Sequence, residues 1–189
     1  SINLLIINSK SITSSSPSLS YLRLINNSAN RYGGGLWINN SSSILNFVTV
    51  SNNSSESGGG GMYIMDSEDV IVKNSRITSN QTSSGGAIQC QNSQDIALQN
   101  VIIADNNAPT AGGIQFYQNS TMSIINSTFY GNNSGSSSVI QVSEVTSLSI
   151  INSIFWNLTE TEFATTTGGT IDISYSDIEG GYSGTGNID

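Results

Sequence analysis

Three stretches decide the fold: GMYIM at 61–65, AIQCQ at 87–91 and GIQFY at 113–117. Superposed, they place Met62, Ile88 and Ile114 in one column and Ile64, Cys90 and Phe116 in a second. Working outward, the first column takes in Leu36 and Ile140 and the second Ile38 and Val142, always at the same 26-residue step. Only apolar types occupy either column. A fixed period with apolar columns marks a repeat architecture, in which each repeat buries its face against its neighbours.

More columns follow on the same step. Val70, Ile96, Met122 and Leu148 form one; Val72, Leu98, Ile124 and Ile150 form the next, two residues on; Ile77, Ile103, Phe129 and Phe155 form another. The first two stretches of each repeat alternate with period two, which is the strand signature. Clusters of Gly, Ser and Asn separate them, as turns require. Good helix formers are few and β-branched residues many. The spacing therefore predicts an all-β fold: a parallel β-helix of about seven coils, three strands per coil and a 26-residue repeat. Residues 1–189 form a single domain, expected to be a segment of a larger protein because the chain opens at Ser1 inside an apolar stretch, Ile2 to Ile7.

Two asparagine columns keep the step: Asn74, Asn100, Asn126 and Asn152, and Asn80, Asn106 and Asn132. Asparagine tolerates the left-handed conformation of a sharp corner, and stacked amides can bond along a column. Asn46 precedes Asn74 by 28, which predicts a two-residue insertion in that coil. Glycine pairs such as Gly34-Gly35, Gly60-Gly61, Gly112-Gly113 and Gly168-Gly169 recur before the first strand. On this reading Leu158 to Thr167 is a loop, and Ile171 and Ile173 resume the columns of Ile140 and Val142.

Composition bounds function. Charged residues are 10% of the chain and the net charge is −8, with five Lys plus Arg. No basic patch able to neutralise a phosphate backbone can be assembled, so nucleic acid is excluded as a partner. The same deficit argues against an anionic membrane surface, and no apolar run is long enough to span a bilayer. Cys90, the single cysteine, falls in an apolar column and reads as a small buried hydrophobe.

The tetrad Gly85 to Ile88, with Ile77-x-x-Asn80, Ile103-x-x-Asn106 and Phe129-x-x-Asn132, resembles the polymorphic outer-membrane protein repeat. The C-terminal ISYSDIEGGYSGTGNID, Ile173 to Asp189, is similar to the closing coil of secreted right-handed β-helix repeat proteins, including the choice-of-anchor group. Both belong among the pectin-lyase-like β-helices. The resemblance implies a right-handed helix and an extracellular or cell-surface location. It says little of activity, since this fold hosts lyases, hydrolases, adhesins and fibres.

An enzyme acting on polysaccharide needs paired carboxylates, or a base commonly assisted by Ca²⁺. No histidine exists, and neither Lys73 nor Arg76 lies one or two steps from an acidic pair. No catalytic residue is assigned. The densest acidic group is Asp66, Glu68 and Asp69, with Asp95 one step after Asp69. It has two readings, a weak Ca²⁺ site or a solvated turn with splayed side chains; beyond that Ca²⁺ no cofactor is implied.

Residues between the inward columns point outward. One outward row runs Trp37, Tyr63, Gln89, Gln115, Gln141 and on to Asp172; another runs Thr78, Ala104, Tyr130, Trp156. Trp37 beside Tyr63 and Tyr130 beside Trp156 form candidate platforms for sugar rings or a partner protein. Asn39, Asn53 and Asn119 open Asn-x-Ser/Thr sequons at expected exposed sites, and are glycosylation candidates if the source is eukaryotic. The expected function is a non-catalytic extracellular or cell-surface β-helix, structural or adhesive, or a fibre-forming segment, whose ends lack caps and either continue into neighbouring coils of a longer chain or associate end to end. A polysaccharide-active or glycan-binding β-helix is the alternative.

Overall fold

The computed structural model describes residues 4–6, 10–135, 137–144, 146–157 and 161–189. Every strand pairing between them is parallel, and each joins a strand to its counterpart one coil later. The register is that of the columns: Met62 pairs with Leu36 on one side and Ile88 on the other, and Ile88 in turn with Ile114. A seven-stranded sheet runs from Lys10–Thr13 to Phe163–Thr165. Its seven strands bound six complete turns, against the seven expected, because the last residues fold into a closing turn and not a further coil. A thirteen-stranded sheet carries the other two stretches of each coil, from Leu4–Ile6 to Asp177–Ile178. In the coils of Ile71–Thr78 and Ile96–Ala104 those two stretches run together as one bent strand.

The apolar columns meet inside as one continuous core from Ile12 to Ile178. Met62, Ile88 and Ile114 are fully buried, each worth about 1.5–3 kcal/mol relative to exposure. Towards the C-terminus the filling is aromatic. Phe129 stacks on Phe155 at 4.5 Å, and Phe155 meets Phe163 edge-on at 4.8 Å.

Corners recur in columns of left-handed residues. Ser14, Asn40, Asp66, Asn92, Gln118 and Glu144 form one; Asn26, Asn52, Ser79, Asp105 and Gly131 another; Gly33, Gly59, Gly85 and Ala111 a third. The fourth is Tyr21, Phe47, Asn74, Asn100, Asn126, Asn152 and Tyr175. Phe47, and not Asn46, is thus the corner equivalent of Asn74, since Asn46 pairs with Lys73. The insertion in that coil is one residue. Asn46 lies one residue short of the corner, as the last residue of the strand Ile44–Asn46.

Just after each of three corners an inward polar residue ties coil to coil. Ser41, Ser67, Ser93 and Ser120 form one such line, the hydroxyl of each later serine accepting the backbone N–H of the one before. Val101, Ser127, Ser153 and Ser176 repeat the arrangement at the next corner. Asn27, Asn53, Asn80, Asn106, Asn132 and Asn157 make the third. From Asn27 to Asn132 each of these asparagines, buried to 4% exposure or less, sends its backbone N–H and its Nδ2 to the Oδ1 of the next, at 2.8–3.1 Å. From Asn53 on, Nδ2 also reaches a carbonyl of an earlier coil, such as Ile77 O from Asn106. Peptide groups that a tight turn would orphan in the interior are satisfied this way. The continuous amide ladder is therefore this column. Of the outer set, Asn100 bonds Asn74 and Asn74 bonds Asn46, while Asn100, Asn126 and Asn152 are exposed at their corner.

Two further readings are corrected at the C-terminal end. Phe163–Thr165 continues the seven-stranded sheet, pairing Phe163 with Ile140, after a step of 23. Ile171 and Ile173 pair with Leu148 and Ile150 in the other sheet, and Asp172 with Ser149 rather than with the Gln141 row. Leu158 to Glu160 of the expected loop lie outside the described residues. The C-terminal edge is also covered. Tyr175 N bonds Thr185 O, Ile178 N bonds Ile188 O, and Asn187 Oδ1 takes the N–H of Ser176, ending that serine line. Tyr182 lies edge-on to Phe163 at 5.3 Å. The expectation of two uncapped ends thus fails at this one, because the glycine-rich tail folds back over its last coil.

Candidate functional site

Strand alternation directs Trp37, Tyr63, Gln89, Gln115 and Gln141 away from the core, but most of this row is not open. Turn segments fold across it. Tyr32 stacks on the Tyr63 ring at 4.5 Å, and Tyr63 is 1% exposed. Its hydroxyl donates to Gln91 Oε1, which also accepts from Tyr117 at 3.1 Å. Burial, reinforced by Tyr117, drives the Tyr63 hydroxyl well above the ordinary phenol range. Gln89 is pinned under Gly58, where a Cβ would stand 1.6 Å from its Oε1. Gln89 donates to Gln115 at 2.6 Å, and Gln115 to Gln141 at 3.0 Å. Trp37 is half-buried, its Nε1 enclosed without a partner. The proposed Trp37–Tyr63 platform is therefore overturned. Period-two alternation tells which way a side chain points and not what lies on top of it.

The second platform is open. Tyr130 is 40% exposed and Trp156 49%, and they are register partners on adjacent coils. Ile154, two residues from Trp156, is exposed beside them. A third aromatic pair escaped the sequence reading. Tyr21 and Phe47 stack at 5.2 Å with planes 9° apart, both largely exposed at left-handed corner positions. Bulky side chains rarely take that conformation, at a cost of about 1–2 kcal/mol each. The 26-residue step from Tyr21 to Phe47 was the available signal.

Asp66, Glu68, Asp69 and Asp95 are all exposed, at the turn between the two sheets. Asn92 Nδ2 donates to Asp66 Oδ1 at 2.7 Å. Glu68 pairs with Gln94, which places Asp69 and Asp95 on adjacent coils. Among the described residues no three acidic, His or Cys side chains converge as a metal cage.

One carboxyl stands apart. Glu162, 7% exposed, ends the amide ladder: its two oxygens accept Asn157 N at 3.0 Å and Asn157 Nδ2 at 2.8 Å. Burial pushes it up to about 7, against the lowering effect of those two hydrogen bonds and with a small upward push from Glu179. Both oxygens are engaged by the ladder, and the side chain is buried away from solvent. Cys90 is fully buried, and burial raises its thiol far above the ordinary range, which leaves it unreactive.

Of the sequons, Asn119 is exposed. Asn39 is half-buried with its Oδ1 enclosed, and Asn53 is 1% exposed as a rung of the buried ladder. The Asn53 amide is engaged in the ladder, and full exposure holds for Asn119 alone. Asn53 was misread because the inserted residue put it out of the 26-residue register with Asn80.

Stacked parallel coils, stepped corners and internal ladders define a pectin-lyase-like parallel β-helix. The sequence model described as "right handed beta helix region" matches residues 5–155. The chain belongs to that family. No curated protein and no solved structure matches it significantly. No helix is long and apolar enough to cross a membrane among the described residues.

Proposed function

We propose that this β-helix is a non-catalytic structural or adhesive rod of the cell surface or the extracellular space. The observation that carries the reading is the open Tyr130–Trp156 pair with Ile154 at its side, mounted on coils that ladders hold together. Large aromatics fixed on a stiff frame bind without a large ordering cost, which suits an adhesive contact. The buried Glu162 carboxyl, bound into the ladder, and the outward, dispersed acids of the inter-sheet turn support a non-catalytic assignment. Trp156→Ala is expected to abolish adhesion while leaving the circular dichroism spectrum and melting temperature unchanged. Wild-type adhesion in that variant sinks the proposal.

A second reading, glycan binding, is favoured by the exposed Tyr21–Phe47 stack, which Arg23, Lys73 and Arg76 flank on neighbouring rows. A glycan array run with Tyr21→Ala and Phe47→Ala tests it, with loss of signal expected. Release of unsaturated sugars from pectin or alginate would instead make the chain an enzyme and remove both readings.

A further inference from the structure

The outer face of the second strand in each coil carries two rows side by side. One reads Ile44, Ile71, Ala97, Ser123, Ser149, Asp172; the other reads Asn46, Lys73, Gln99, Ile125, Ile151, Ser174. They differ in shape at equal height. Ser123 and Ser149 line a shallow hollow of about 210 Å³ with Asp95, Thr121 and Ser147. On the same two coils the neighbouring row raises Ile125 and Ile151, the latter 36% exposed. They differ in charge as well. Asp69 and Asp95 edge the face on the first row's side, and Lys73 stands in the second row. Among the described residues Lys73 makes no ion pair or hydrogen bond through its ammonium group.

We infer that this face is a self-complementary contact through which two copies of the chain pair side by side, with their solenoid axes parallel. A two-fold axis along the solenoid, midway between the rows, sets each row of one copy against the other row of its partner at the same height. The isoleucines of one copy then enter the serine-lined hollow of the other, twice over. Lys73 of each copy lies over Ile71 of the other, two residues or ~7 Å along the strand from that copy's Asp69, within reach of a lysine side chain. Turning one copy end for end loses both matches: the rows then face themselves, and the hollow stays empty. Side chains that stand out from an exposed strand face opposite small ones are the ordinary material of sheet-on-sheet packing. The face is about 17 Å wide and ~29 Å tall, which gives a projected area of roughly 500 Å² per partner. That is the low end for a specific interface, so the pair is weak, concentration-dependent and sensitive to salt. The contact is separate from the Tyr130–Trp156 pair and does not rest on the adhesive reading.

Sedimentation velocity from roughly 1 µM to 1 mM is expected to show a monomer–dimer equilibrium that salt weakens. Ile125→Asp with Ile151→Asp should raise the dissociation constant about 100-fold or more. Lys73→Glu and Asp69→Lys should each weaken the dimer alone, and an equimolar mixture of the two should restore it. Ser149→Cys and Ile151→Cys chains, mixed with a thiol-specific bismaleimide spanning about 10 Å, the separation of face-packed sheets, should give a cross-linked heterodimer, a readout that stands if the charged or aspartate variants fold poorly. A chain that stays monomeric throughout overturns the inference. So does a dimer indifferent to Ile125 and Ile151, a failed mixing rescue, an absent cross-link, or a monomer whose face instead retains an added glycan.

Discussion

Glu162 makes the molecule's clearest prediction, because it is a buried acid that titrates near neutrality. Its carboxyl moves from an ordinary 4.5 in the unfolded chain to about 7 in the fold. At 1.36 kcal/mol per unit, the difference is worth ~3 kcal/mol. The folded state holds the proton more tightly than the unfolded state, so this stability is fully present below about 4.5 and is lost as the pH rises through about 7. Glu162→Gln keeps an acceptor for the Asn157 donors and removes the titration. A neutral amide accepts less strongly, at a cost of about 1 kcal/mol. The variant should therefore equal or slightly trail the wild type at low pH and lead it by ~2 kcal/mol above the transition. Repeat arrays open locally, so the reading should be local too. Amide hydrogen exchange over residues 154–157 and 161–165, corrected for the intrinsic pH dependence of exchange, should show wild-type protection falling with rising pH while the variant stays flat. Parallel curves for the two proteins would refute the reasoning, since the loss would then have another source.

Asn106→Leu should cost upwards of ~3 kcal/mol in denaturant titration, because it orphans the N–H and amide of Asn80 in the interior and strips the partner of Ile77 O. Gly86→Ala is expected to lower stability by about 1–3 kcal/mol, because the new Cβ would stand 2.2 Å from the Gly112 carbonyl oxygen and force the two coils apart. Expressed in a glycosylating host, the chain should carry glycan at Asn119 and none at Asn53, as read by peptide mass spectrometry; occupancy at Asn53 would contradict its place in the ladder.

What was legible in the sequence was whatever repeats. A residue that must fit between copies of itself is constrained in every coil, so Met62, Ile88 and Ile114 announce the stack and its register. What stayed illegible breaks the period or acts across it. Phe163 returns after 23 residues instead of 26, so the last coil was assigned to the wrong sheet. Tyr63 alternates outward yet is roofed by Tyr32, a contact between a turn and a strand of the following coil that no single column contains. Glu162 follows Asn157 by five residues, and nothing in a 26-residue alignment suggests that a carboxylate ends a line of amides. Tyr130 and Trp156 lie on regular coils, and their outward direction and register follow from the period alone.

The asparagine ladder has an arrow. From Asn27 to Asn157 each rung gives its backbone N–H and one Nδ2 hydrogen to the acceptor on its C-terminal side, so the bonds between rungs all point the same way. Such a polarised wire is electropositive where its last hydrogens emerge, and that is where the chain has set an acid. A rung broken midway would thus weaken its neighbours on both sides.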